Sequence, residues 1–185
     1  MLFKYPIIIF IFFILAIIQN SFMPFFNVMG TVPNLVFILF FILTFFEESS
    51  EYHSSSQVSQ SEIWEDKGFF IAIIAGFFLD IFSPFYFGLS IISPLIIYLL
   101  IKVIIHFLRK WQDKYLIFYF LFIFLFSFFV YNVFSNLLSN SFHLKLDFNK
   151  TIFVSLLYNL IFIYFGFYVY KFIKKDSSDS QLKLF

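Results

Sequence analysis

Long apolar runs alternate with short polar segments along this chain, and their lengths predict helices that cross a membrane. An α-helix of roughly 20 apolar residues spans the hydrocarbon core, and only helices or closed barrels satisfy their backbone polar groups there. We expect an all-α, polytopic integral membrane protein with about six transmembrane helices in one domain over 1–175, before a polar tail over 176–185. The predicted spans are 3–18, 35–46, 68–82, 89–106, 115–136 and 151–172.

Composition narrows the class of function. The chain has 185 residues, of which 62% are hydrophobic and 26% aromatic, and its mean hydropathy is +0.94. It has no cysteine, and its three histidines are far apart, so we predict no metal and no cofactor. The apolar runs contain no catalytic constellation and no phosphate-binding loop, and no basic surface suits nucleic acid. The sequence therefore predicts a membrane protein that is not an enzyme.

The most polar stretch is the segment 47–67, which contains six acids and a centre rich in serine and glutamine. We expect Glu47 to end the second span and this acidic loop to be mobile. A solvated linker is the favoured interpretation, and a docking segment is the alternative.

Basic residues predict the orientation in the membrane. With an even number of spans, both termini lie on one side. If that side is the cytoplasm, ten of the twelve Lys and Arg residues are inside, and only Lys145 and Lys150 are outside. The acidic loop is then cytoplasmic, and Asp80 lies near the outer face.

Small residues recur at four-residue spacing in the third span, at Gly68, Ala72 and Gly76, and Asp80 continues the series. Residues four apart share one face of a helix, and small side chains let a second backbone approach closely in a membrane. We therefore predict that this face packs against another helix or against a partner protein.

Asp80 falls at the carboxyl end of its helix, where the helix dipole disfavours a negative charge. The amides that open the next helix, at Gly88, Leu89 and Ser90, are the nearest compensation. We favour a structural cap across this reversal, and a proton or cation site is the alternative.

Two polar stripes follow in the last two spans. Asn132, Asn136 and Asn140 recur every four residues, as do Ser155 and Asn159. Hydrogen bonds between helices are the favoured role, because buried amide side chains in lipid need partners. The alternative is a small-molecule pocket that opens to the outside.

The order of these features resembles the MreD family, small integral membrane proteins of the bacterial rod-shape machinery. The matching features are Gln19, Pro33-Asn34-Leu35, Gly76-Phe-Phe-Leu-Asp80, Gly88-Leu89, Ser155 with Asn159, and the basic exit from Lys171 to Lys175. The resemblance implies a non-enzymatic scaffold in the bacterial cytoplasmic membrane that binds MreC. It further implies coupling of the MreB cytoskeleton to peptidoglycan synthases and rod shape, and a homodimer is a further arrangement to consider.

The MreD fold also resembles the substrate-binding S components of energy-coupling-factor vitamin transporters, which supply the alternative function. Such a component is expected to dock its coupling subunit through small residues on its first helix. Here that helix offers only Ala16 among bulky side chains, which argues against this docking. If the small-residue face meets a partner, Gly76→Leu should disrupt assembly, and Asp80→Asn should be milder if Asp80 is only a cap.

Overall fold

The structure, a computed structural model, describes residues 4–54, 67–82, 88–107, 116–139 and 150–182, and these ranges are helical apart from short connections. A 3-10 turn at Met23–Phe26 and an isolated bridge between Val28 and Thr31 link the first two helices. The α-helices are α1 (Lys4–Ser21), α2 (Leu35–Ser54), α3 (Lys67–Ile81), α4 (Leu89–Phe107), α5 (Leu116–Ser139) and α6 (Lys150–Leu182).

Three of these helices are long and apolar enough to cross a membrane. The qualifying segments are Ser90–Phe107 in α4, Ile117–Phe134 in α5 and Ile152–Phe172 in α6, and α1 contributes the shorter apolar segment Pro6–Ser21. Length and composition thus indicate an all-helical membrane protein.

Helix α2 is the centre of the bundle. It packs against α1, α3, α4 and α6, and its rings also contact α5. Phe37, Phe41 and Phe45 are completely buried and, being four residues apart, form a row along one face. Each stands against aromatic rings of α5, such as Phe41 against Phe120 with their centroids 5.3 Å apart. This aromatic row fixes α2 antiparallel to α5.

Contacts between α2 and α6 show that these two helices run in the same direction. Asn34 meets Asn159 near the beginning of both helices. Near the other end, the rings of Phe46 and Tyr170 stack with their centroids 4.1 Å apart. Between them, Gly166 lies so close to α2 that an added Cβ would sit 2.5 Å from Cδ1 of Ile42.

Several helices continue past the ends of the predicted spans, which follow the apolar runs. Helix α2 passes through Glu47 and ends at Ser54, so the acidic loop begins later than predicted. Helix α5 continues to Ser139, and α6 continues to Leu182, into the predicted tail. Charged and polar residues can extend a helix into water, since glutamate and lysine are good helix formers. The remainder of the acidic loop, residues 55–66, lies outside the described residues.

Candidate functional site

The first turn of α2 carries the densest polar cluster in the described part of the chain. The first four backbone N–H groups of an α-helix have no hydrogen-bond partner within the helix. Asn34 precedes the helix, and its Oδ1 accepts a 3.0 Å hydrogen bond from the amide of Phe37. Asn34 is thus an ordinary N-cap residue. The residue before it, Pro33, has no backbone N–H to donate, and its ring restricts its own φ.

Three other helices supply side chains to the same turn. The Oε1 atom of Gln19, in α1, accepts a 3.0 Å hydrogen bond from the amide of Val36. Oδ1 of Asn159, in α6, accepts one of 2.8 Å from the amide of Asn34. The side-chain amide of Asn34 in turn donates to the hydroxyl of Tyr131, in α5, at 3.0 Å. One helix start therefore ties α1, α2, α5 and α6 together, and we call these residues (Gln19, Asn34, Tyr131 and Asn159) the α2 cap cluster.

The orientation of Asn159 is fixed by its neighbour one turn earlier. Its Nδ2 donates to the carbonyl oxygen of Ser155 at 2.7 Å and approaches the Ser155 hydroxyl at 3.4 Å. Only 1% of Asn159 is exposed. The predicted four-residue pair is therefore in contact, with Asn159 bonding to another helix and Ser155 holding it within α6. Nearby, the Tyr158 hydroxyl donates to the carbonyl of Phe26 at 2.9 Å.

Of the asparagine stripe of α5, the structure describes the side-chain bonding of Asn132 alone. Nδ2 of Asn132 donates to the carbonyl of Phe128 at 2.8 Å, a bond within its own helix. The prediction of an interhelical role for Asn132 is thus not supported by this bond. The side chain of Asn136 and all of Asn140 lie outside the described residues. Tyr131, a residue outside this predicted stripe, bonds instead to the start of α2, because its hydroxyl accepts a hydrogen bond from the side chain of Asn34.

The small-residue face of α3 is covered by the chain itself. Gly68, Ala72 and Gly76 are buried, and α4 packs across them. A Cβ added to Gly76 would lie 2.6 Å from Cα of Ile91, and one added to Gly68 would lie 2.7 Å from Cε2 of Tyr98. Of the two predicted uses of this face, helix packing describes the structure. A partner protein has no access to it, because backbone of the same chain already occupies the contact.

Asp80 bridges the end of α3 and the start of α4. Its Oδ2 accepts a hydrogen bond from the amide of Gly88, and its Oδ1 accepts one of 3.1 Å from the amide of Ser90. These are the bonds that a carboxylate capping α4 makes, and they place a negative charge at a helix N-terminus, where the dipole favours it. Gly88 has a φ of +100°, a conformation that side chains disfavour. The residues between, 83–87, lie outside the described residues.

Charged residues also gather where α2, α3 and α4 meet at the opposite end. Nζ of Lys67 lies 2.6 Å from Oε1 of Glu47. Glu48, which the sequence placed in the acidic loop, is only 2% exposed, because the helix turns it inward beside Gly68. Nζ of Lys102 donates to the hydroxyl of Tyr98 at 3.2 Å. These polar contacts thus hold α2, α3 and α4 together beyond the apolar part of the bundle.

Three acceptors of the α2 cap cluster are directed at backbone amides at the start of α2, and the Tyr131 hydroxyl accepts from the side chain of Asn34. Their chemistry is that of a structural joint, and the described residues contain no group of three metal-ligating side chains. The fold and this joint define an all-helical membrane protein whose polar interior holds helices together. A scan of family models, a search of curated proteins and a search of solved structures each found no match to this chain.

Proposed function

We propose that this chain is a non-enzymatic scaffold of the bacterial cell-elongation machinery, which binds an MreC-like protein in the cytoplasmic membrane. The observation that carries the proposal is that the acceptors of the α2 cap cluster bond within the bundle. A scaffold needs a rigid bundle, and here the buried polar groups serve the bundle itself.

The same observation favours the scaffold over an S component of a vitamin transporter. A substrate pocket requires polar side chains that are directed at a ligand. Asn34, Gln19 and Asn159 instead accept hydrogen bonds from backbone amides of the first turn of α2 or of Asn34 itself. These three acceptors therefore have a structural use within the bundle.

The partner helix binds to the outer surface of the bundle, because the small-residue face of α3 is already filled. Large apolar side chains are exposed along α1, for example Phe10 at 60% and Phe13 at 47%. Such surfaces suit lipid and transmembrane helices alike. MreB and the cell-wall synthases join the complex through the MreC-like protein.

The proposal includes six spans with both termini in the cytoplasm, and the absence of cysteine makes this topology easy to test. Asn27, between α1 and α2, is exposed and is predicted to be outside, whereas Phe107, at the end of α4, is exposed and predicted to be inside. A membrane-impermeant thiol reagent should label Asn27→Cys in intact cells and Phe107→Cys only after permeabilisation. The opposite pattern would contradict the proposed orientation.

A detergent pull-down of the tagged protein from its native membrane tests the function. The scaffold predicts recovery of an MreC-like coiled-coil protein with one span, together with cell-wall synthases. Recovery of ABC-type ATPases with a coupling membrane subunit would overturn it in favour of vitamin uptake. A tagged, unrelated polytopic protein from the same membrane is the control for nonspecific recovery.

A further inference from the structure

Helix α6 is the least covered of the membrane-length helices. Only 17% of its segment Ile152–Phe172 is buried, compared with 33% for the corresponding segments of α4 and α5. One row on its exposed side has the alternating spacing of four, three and four residues. This row, which we call the α6 seam, consists of Leu157, Ile161, Tyr164 and Tyr168, exposed by 46%, 67%, 49% and 48%. Such spacing is that of the contact line of a left-handed helix pair.

Two polar groups lie on this apolar seam. The hydroxyl of Tyr164 donates to the hydroxyl of Tyr168 at 3.3 Å, and the two rings meet edge to face with their centroids 4.9 Å apart. A phenol is both a donor and an acceptor. The hydrogen of the Tyr168 hydroxyl has no acceptor among the described residues, and the Tyr164 oxygen has no donor there.

The position of the pair makes this incomplete bonding costly. Tyr164 lies near the middle of the apolar segment. Tyr168 is closer to the basic exit at Lys171, but helical side chains lean toward the N-terminus, so its side chain leans away from that exit. Hydrocarbon offers neither a donor nor an acceptor. The remaining donor and acceptor are therefore best satisfied by another protein helix at the same depth.

We propose that the α6 seam pairs with the α6 seam of a second copy of this chain in a twofold-symmetric dimer. Each Tyr168 hydroxyl then donates to the partner subunit's Tyr164, and the four hydroxyls form a closed ring. A twofold interface requires a patch that is complementary to itself. The tyrosine pair meets this requirement, because it leaves one donor and one acceptor side by side. A partner of different sequence would need its own donor and acceptor side by side at the same depth, which nothing on this chain specifies.

Cysteine cross-linking tests the geometry directly, because the natural chain contains no cysteine. Ile161→Cys, on the α6 seam, should form a disulfide-linked dimer when native membranes are oxidised. Val169→Cys is the matched control, since Val169 is also exposed on α6 but lies beside the seam. We expect a several-fold lower yield from it. Equal yields, or cross-linking of Ile161→Cys only to a different protein, would overturn the second-copy proposal.

Removal of the hydroxyls tests the ring. The double variant Tyr164→Phe/Tyr168→Phe keeps the rings but loses both bonds between subunits, which should weaken dimerisation in lipid vesicles by about tenfold or more. Energy transfer between labelled copies measures the dimer fraction. Tyr158→Phe is the control, because its hydroxyl bonds to Phe26 away from the seam. An unchanged dimer fraction in the double variant would overturn the ring. The dimer does not depend on the scaffold function.

Discussion

Asn159 and Asn34 are joined by a 2.8 Å hydrogen bond, although 125 positions separate them in the sequence. The bond links the buried side chain of Asn159 in α6 to the amide of the residue that caps α2. Among the described residues, it is the only hydrogen bond that α6 makes to the start of α2.

Replacing Asn159 with leucine should destabilise the protein markedly. The change leaves the amide of Asn34 buried without its acceptor, and we expect a loss of about 1–3 kcal/mol in the free energy of unfolding. Unfolding in mixed detergent micelles measures it. Asn132→Leu is the matched control, because the described bond of Asn132 stays within its own helix, and its loss should be smaller. Equal losses would contradict the special role of Asn159.

Alanine at Gly76 and at Gly166 should have different consequences, although the substitution is the same. At Gly76 the new Cβ would meet the backbone Cα of Ile91 at 2.6 Å, and backbone cannot rotate away. We expect overpacking to cost about 1–3 kcal/mol, more than the roughly 1 kcal/mol gained in helix propensity.

At Gly166 the nearest atom is instead Cδ1 of Ile42, the flexible end of a side chain. Gly166→Ala should therefore be close to neutral, since rotation of Ile42 relieves the contact and alanine favours the helix. Thermal unfolding of both purified variants in one detergent provides the comparison. A stable Gly76→Ala variant would refute the close approach of α3 and α4.

Asp80→Ala should destabilise the junction of α3 and α4 more than Asp80→Asn. Alanine removes both acceptors, at a cost of about 0.5–2 kcal/mol for the lost cap, whereas asparagine retains one oxygen. Protease sensitivity between α3 and α4, together with thermal unfolding, reports the effect. If Asp80→Asn abolished binding of the proposed MreC-like partner at wild-type stability, Asp80 would have a role beyond capping.

The ion pair between Glu47 and Lys67 should contribute little. Its side chains are 30% and 44% exposed, and such pairs contribute at most about 1 kcal/mol. Glu47→Gln should thus lower stability only slightly, and the difference should shrink further in high salt because exposed charges are screened. A large loss that salt does not reduce would contradict a simple surface pair.

The positions of the helices follow from apolar run length, and most of their starts match the predictions closely. The ends of α2, α5 and α6 do not, because hydropathy detects where lipid contact stops and not where helical hydrogen bonding stops. For that reason hydropathy predicts a boundary at Glu47. The helix instead continues, and its winding turns Glu48 inward.

The site was only partly predictable. Asn34 before an apolar run is a recognisable N-cap signal, and Asn159 was singled out as a buried amide. Neither the meeting of these two residues nor the contributions of Gln19 and Tyr131 could be predicted, because they arise from packing between distant helices. Local spacing predicted the bonds of Asp80 to the next helix, which begins only a few residues later. The bond of Ser155 to Asn159 lies within α6, whereas the sequence predicted hydrogen bonds between helices for both residues.

The place of Asn159 in the chain also bears on how the protein is made. Helix α6 leaves the ribosome after the five helices before it, yet it carries the acceptor for the amide of the residue that caps α2. A growing chain that holds only those five helices therefore lacks the acceptor for this N–H. The bond forms only once α6 has been made, so assembly of the start of α2 is completed late in synthesis, after the helix itself.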